Sequence, residues 1–166
     1  MPPLHKAAPD NRRIDECAVP AQATGHPGGA RLQGHLLVAE DNPICAKVIQ
    51  TLLCEQGLTL TLVGDGQQAV EAILHGRPDL GPDLILMDLQ MPLLDGYAAT
   101  RRIRQWETET GRQRRLPIVA LTAHAFEQDR QRCLDAGMDD FLSKPVLLPV
   151  LQAALARWLP GASQTR

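Results

Sequence analysis

The sequence predicts a doubly wound α/β domain, a five-stranded parallel sheet with helices on both faces. Short apolar runs recur at Leu36–Ala39, Thr59–Val63, Leu84–Met87, Ile118–Leu121 and Phe141–Leu142. Three of them are near-continuously apolar, as strands buried on both faces must be. Segments of helical period fill the gaps between them. Strictly alternating strands and helices, joined by right-handed crossovers, give this class.

The first helix is expected over 43–56, where Ile44, Val48 and Leu52 recur at i, i+4 and form one apolar face. Ala69, Val70 and Ile73 mark a second over 66–75, and Ala99, Ile103 and Trp106 a third over 95–107. The stretch 124–136 places Ala125, Cys133, Leu134 and Ala136 among charges. The last helix, 146–159, carries Leu147, Leu151, Leu155 and Leu159 on one stripe. Gly57, Gly76 and Gly137 follow helical patterns where a left-handed residue is wanted. Pro43 and Pro145 lie beside helix starts.

Residues 1–34 hold five prolines and four glycines and no apolar period. Such a segment buries too little apolar surface to offset its ordering entropy, so it reads as a flexible tail or interdomain linker. The folded unit is expected over 35–159, with 160–166 as a C-terminal tail. Seventeen Lys and Arg against nineteen Asp and Glu leave a net charge of −2, and aromatics make up 3%. That balance argues against nucleic-acid binding and against attraction to an anionic membrane. No apolar run approaches the roughly 20 residues of a membrane helix, and no secretory signal opens the chain. A cytoplasmic location is expected, with a membrane-anchored parent protein left open. Cys17, Cys45, Cys54 and Cys133 form no Cys-x-x-Cys pair, so four reduced thiols are expected rather than a zinc or redox site.

In a doubly wound sheet, functional groups collect at the C-terminal strand ends. Those ends carry Glu40-Asp41, Asp88, Thr122 and Lys144-Pro145. Three carboxylates in one pocket repel each other unless a divalent cation intervenes. Mg²⁺ suits one or two carboxylates plus phosphate oxygens. A carboxylate can attack phosphorus to give an acyl phosphate. The charge on the transferring phosphoryl oxygens then needs metal, ammonium and hydroxyl partners.

These segments resemble the receiver domain of two-component response regulators. Leu37-Val38-Ala39-Glu40-Asp41-Asn42 is similar to the family's acidic-pair segment, and Leu84 through Pro92 with Asp95-Gly96 to its phosphoacceptor segment. Ala120-Leu121-Thr122-Ala123 resembles the switch-hydroxyl segment, and Phe141-Leu142-Ser143-Lys144-Pro145 the lysine segment. The resemblance implies a flavodoxin-like sheet of order 2-1-3-4-5. It implies Asp88 as the phosphorylated nucleophile and Mg²⁺ on Asp41, Asp88 and the Gln90 carbonyl, with Glu40 acting mainly through water. Lys144 and Thr122 would meet the phosphoryl group, Phe141 would be the switch aromatic, and the Lys144–Pro145 peptide would be cis. Partners would be a histidine kinase or a histidine phosphotransfer domain, with a homodimer through the 124–159 face as a further expectation. The long segment Thr108–Arg115 and the Ala-Leu-Thr-Ala-His run look like receivers of hybrid sensor kinases, and the chain is expected to be the receiver part of a hybrid histidine kinase or a single-domain response regulator.

A haloacid-dehalogenase-type phosphatase also uses a strand-end Asp, Mg²⁺, a hydroxyl and a Lys. Its nucleophile is followed two residues later by an acid–base Asp, and Gln90 stands there instead. A docking-only receiver would show gaps in the acidic site, and none are seen. No Gly-rich phosphate loop is present, and the chain runs seven residues past Leu159. The output is therefore expected to be a changed binding surface or onward phosphoryl transfer. The donor is expected to dock over the start of the first helix, near Ile44, Cys45, Val48, Pro145 and Val146. Arg101, Arg102, Arg104, Arg112, Arg114 and Arg115 read as a solvated helix face and loop.

Overall fold

A computed structural model describes residues 32–76 and 81–159. The elements alternate without exception: β1 (His35–Ala39), α1 (Pro43–Glu55), β2 (Thr59–Val63), α2 (Gly66–Leu74), β3 (Leu84–Asp88), α3 (Gly96–Thr110), β4 (Ile118–Thr122), α4 (Glu127–Ala136), β5 (Asp140–Ser143) and α5 (Leu148–Trp158). All strands are parallel, in the order β2-β1-β3-β4-β5. The predicted class and strand order both hold. The chain winds one way from β1 to β2 and the other way from β3 onward. That reversal opens a crevice between the ends of β1 and β3.

Successive strand residues point to opposite faces, and each face has its own core. Leu37, Ile85, Met87 and Ile118 pack with Val70 of α2, Ile103 of α3 and Cys133 of α4. Leu36, Leu86, Val119 and Leu121 pack with Ile49 and Leu53 of α1 and with Leu151 and Leu155 of α5. All five residues of β3 and of β4 are buried, which accounts for their unbroken apolar pattern.

The short β–α loops end in side-chain caps. The Asn42 side chain accepts from the N–H groups of Ile44 and Cys45, Asp65 from Gln68 and Asp95 from Ala98. Gly57 and Gly137 take positive φ after their helices, as predicted. Gly76 does not, because His75 closes α2 in a right-handed conformation. The left-handed end of α3 falls on Gly111, three residues beyond the predicted stop at 107 plus its cap.

The predicted stripe of α1 is wrong. Ile44 and Val48 are 74% and 46% exposed, while Ile49 and Leu53 are buried. Stripes 44–48–52 and 45–49–53 are both apolar and lie one residue, or ~100°, apart. The packing selects the second. Leu147 is exposed too, because it stands outside α5 as its cap. Cys45 and Cys133 carry free thiols, but Cys54 is disulfide-bonded, which corrects the all-reduced expectation.

The tail expectations for 1–34 and 160–166 fall outside the described residues, except at 32–34. There Leu32 packs against the core and the Gly34 carbonyl accepts from Thr59 N–H. No helix among the described residues is long and apolar enough to cross a membrane.

Candidate functional site

Register sets the site. Ala39 pairs with Met87, Asp88 with Leu121 and Thr122 with Ser143, so four strands end at nearly one level. Glu40, Asp88 and Thr122 are buried at those ends, and Asp41 is exposed at the rim. Lys144 follows β5, and its N–H donates to the Thr122 carbonyl at 2.7 Å. The Lys144–Pro145 peptide is cis, as the resemblance implied.

Lys144 Nζ lies 2.7 Å from Glu40 Oε2 and 2.9 Å from Asp88 Oδ2. Asn42 N–H donates to Glu40 Oε1, and Gln90 N–H donates to Asp88 Oδ1 at 3.2 Å. Glu40, Asp41 and Asp88 each offer an oxygen within 4.8 Å of the others. One ammonium, paired with Glu40 and Asp88, thus stands against three carboxylates. Burial raises the Glu40 carboxyl above its ordinary value, with Lys144 and the Asn42 N–H pulling it back in part. Burial alone would lower the Lys144 ammonium, but hydrogen bonds to Glu40 and Asp88 outweigh it and raise the group.

The excess of carboxylate oxygen fits a hard dication. Glu40 and Asp88 are engaged alike, each with one oxygen on a backbone N–H and the other beside Lys144, and the buried Glu40 Oε2 has the ion pair but no well-angled hydrogen bond. Asp41, exposed at the rim beside the exposed Gln90, has no such engagement.

Thr122 does not touch Asp88 here. Its hydroxyl donates to the His124 carbonyl at 2.7 Å and accepts from His124 N–H at 3.1 Å. Phe141 is half-buried against the α2–α3 core, with the Arg130 guanidinium 5.7 Å from its ring centroid. The site residues named from sequence therefore gather at one sheet edge, with Phe141 set behind Thr122 in the neighbouring strand.

Two local features carried too weak a sequence signal to be assigned a physical role. A Cβ at Gly96 would stand 2.2 Å from the Asp88 carbonyl oxygen, so only glycine lets α3 start against the Asp88 backbone. Leu93 has φ +67°, and Leu94 N–H donates to the Pro92 carbonyl at 2.8 Å, closing a strained γ-turn that leaves Leu93 87% exposed. Ile44 and Val48, which follow the end of β1, and Leu147, which follows β5, are exposed apolar side chains as well. Val146, expected at the donor's docking site, is buried instead.

Residues 36–156 match the family model of the response regulator receiver domain. The sensor protein GacS of Pseudomonas syringae pv. syringae is 42% identical over 123 residues, covering 74% of this chain and 13% of that protein. Histidine kinase 1 of Arabidopsis thaliana is 37% identical over 160 residues, covering 78% of this chain and 13% of that kinase. The chain thus spans a small fraction of either relative's length. Among solved structures, the receiver domain of sensor histidine kinase PA1611 from Pseudomonas aeruginosa PAO1, with a magnesium ion in its active-site cleft, aligns with a TM-score of 0.66. It is 46% identical, covering 76% of this chain and 98% of that one. The receiver domain of Ssk1, solved with the histidine phosphotransfer protein Ypd1 of Saccharomyces cerevisiae, aligns at 0.67 with 35% identity, covering 75% and 87%.

Proposed function

The chain belongs to the response regulator receiver domain family, and from that premise we propose that Asp88 accepts a phosphoryl group from a phosphohistidine of a histidine kinase or histidine phosphotransfer domain. The proposed unit spans residues 35–159 and serves a hybrid-kinase phosphorelay in the cytoplasm.

An Asp88 carboxylate oxygen attacks phosphorus, the phosphorus–nitrogen bond breaks, and the donor imidazole leaves with the electron pair. Asp41, Asp88 and the Gln90 carbonyl would hold Mg²⁺, with Glu40 acting through water. The ion would supply charge neutralisation at the phosphoryl oxygens. Lys144 steadies the Asp88 carboxylate before transfer and pairs with the phosphoryl oxygens after it. Thr122 then turns its hydroxyl from His124 to a phosphoryl oxygen, and the vacated space admits the Phe141 ring. The same groups would assist hydrolysis of the acyl phosphate.

The observation that carries this reading is the single ammonium of Lys144 between Glu40 and Asp88, with Asp41 completing a trio of carboxylates within 4.8 Å. The exposed apolar side chains of Ile44, Val48 and Leu93 suit a helix-bundle donor, since in-line transfer brings the donor histidine within a few ångströms of Asp88. Acetyl phosphate with Mg²⁺ should add one phosphoryl mass to the intact chain, and Asp88→Asn should abolish it. An adduct that persists in that variant overturns the assignment.

A further inference from the structure

At the sheet edge opposite Asp88, the loop before β3 and the loop before β4 enclose a cavity of about 180 Å³. Among the described residues its wall carries Arg112, Arg114 and Arg115 and one acidic residue, Asp83. Both loops are pinned to the sheet: Asp83 N–H donates to the His35 carbonyl at 2.7 Å, and Ile85 N–H to the Pro117 carbonyl at 2.9 Å. Pro82 and Pro117 stiffen the mouth further.

The charges in this wall do not cancel. Arg115 is committed, with Nε on Asp139 and Nη2 on the Gly137 carbonyl. Asp139 in turn is shared with Arg104. Arg112 lies over the Trp106 ring at 5.7 Å and pairs with no carboxylate among the described residues. Arg114 pairs with none there either. The Asp83 carboxylate is taken by the His35 backbone N–H at 2.9 Å. Among the described residues, two guanidinium groups are thus left without an anion around this hollow.

We infer that this cavity binds a small phosphate-class oxyanion, such as inorganic phosphate or diphosphate. Guanidinium forks match tetrahedral oxyanions in geometry as well as charge. At about 30 Å³ of liquid per water, the hollow equals about six waters. It falls below the ~300 Å³ at which pockets for drug-sized ligands begin, so an occupant of that size does not fit. A cation is repelled by the wall, and an apolar ligand would leave the arginines dehydrated and unpaired.

The test follows backbone amide NMR shifts of the full chain titrated with inorganic phosphate, diphosphate and chloride at matched ionic strength. The two phosphates should give saturable shifts at Gly81, Asp83 and 112–116, and chloride should not. The double variant Arg112→Gln/Arg114→Gln should weaken binding by about tenfold or more, the loss expected for charge-assisted hydrogen bonds. Arg101→Gln/Arg102→Gln removes the same charge from the exposed face of α3 and should leave the affinity within about twofold, since exposed charges at a distance are screened. Asp83→Asn keeps an acceptor for His35 N–H and should tighten binding. The proposal is overturned if no shift saturates, if shifts are confined to the Asp88 pocket, or if the two double variants weaken alike.

Discussion

The sheet holds a cluster of charge at each end, and the two are assembled differently. At the N-terminal end of β4, Arg104 donates to Glu107, Asp139 and the carbonyls of Gly137 and Leu116. Glu107 also accepts from Leu116 N–H, and Asp139 accepts from Ile118 N–H and Arg115. Two cations face two carboxylates, and the enclosed oxygens all have donors. At the C-terminal end, one ammonium faces three carboxylates, and Asp88 Oδ1 receives only the 3.2 Å contact from Gln90 N–H. A balanced cluster holds loops in place. An unbalanced one opposes folding mildly and stays ready for a ligand of the missing charge.

That contrast can be broken most forcefully at Glu107. Glu107→Ala leaves the buried Leu116 N–H without its acceptor and Arg104 with Asp139 as its one remaining carboxylate, and should cost about 3–5 kcal/mol in urea unfolding, the usual loss when one partner of a buried pair is removed. The folded fraction should still take phosphate from acetyl phosphate at the wild-type rate. A loss below about 1 kcal/mol would mean the network is ornamental. Lys144→Met should cost about 1–3 kcal/mol, because Glu40 keeps its burial and loses its cation. Millimolar Mg²⁺ should raise Tm more in this variant than in wild type, and equal responses would contradict the charge-deficit account. Asp88→Asn should add about 1 kcal/mol by relieving carboxylate crowding, and should largely remove the Mg²⁺ response. The smallest stability effect belongs to the exposed apolar residues of α1. Ile44→Asp and Val48→Asp should change unfolding by no more than about 0.5 kcal/mol, since both side chains face solvent. They should nonetheless slow transfer from a phosphohistidine donor while leaving acetyl phosphate labelling unchanged. Parallel losses in both assays would remove α1 from the donor interface.

Much of the site was legible because the chain writes it as punctuation. Four of the five apolar runs stop at Glu40, Asp88, Thr122 or just before Lys144, and parallel register carries those stops to one edge. The faces of the helices were harder to read. In α1 the stripes through Ile44 and Ile49 are equally apolar, and only docking on the sheet separates them. Arg104 looked like one of six solvated arginines. Its partner Asp139 lies 35 residues away, and local charge patterning carries no information at that distance. The Glu40–Lys144 contact also escaped, since the resemblance ties the lysine to the phosphoryl group, whereas it pairs with both Glu40 and Asp88.

The hydroxyl of Thr122 is already satisfied by both polar groups of His124. Turning it toward a phosphoryl oxygen is therefore an exchange of partners, with a neutral bond surrendered for a charge-assisted one. The net difference is on the order of 1 kcal/mol, which tilts a two-state population about fivefold. Moving such an equilibrium from one extreme to the other takes about 5.5 kcal/mol. In the proposed cycle, phosphorylation through this hydroxyl alone biases the ensemble, and a partner that prefers the tilted state must complete the response.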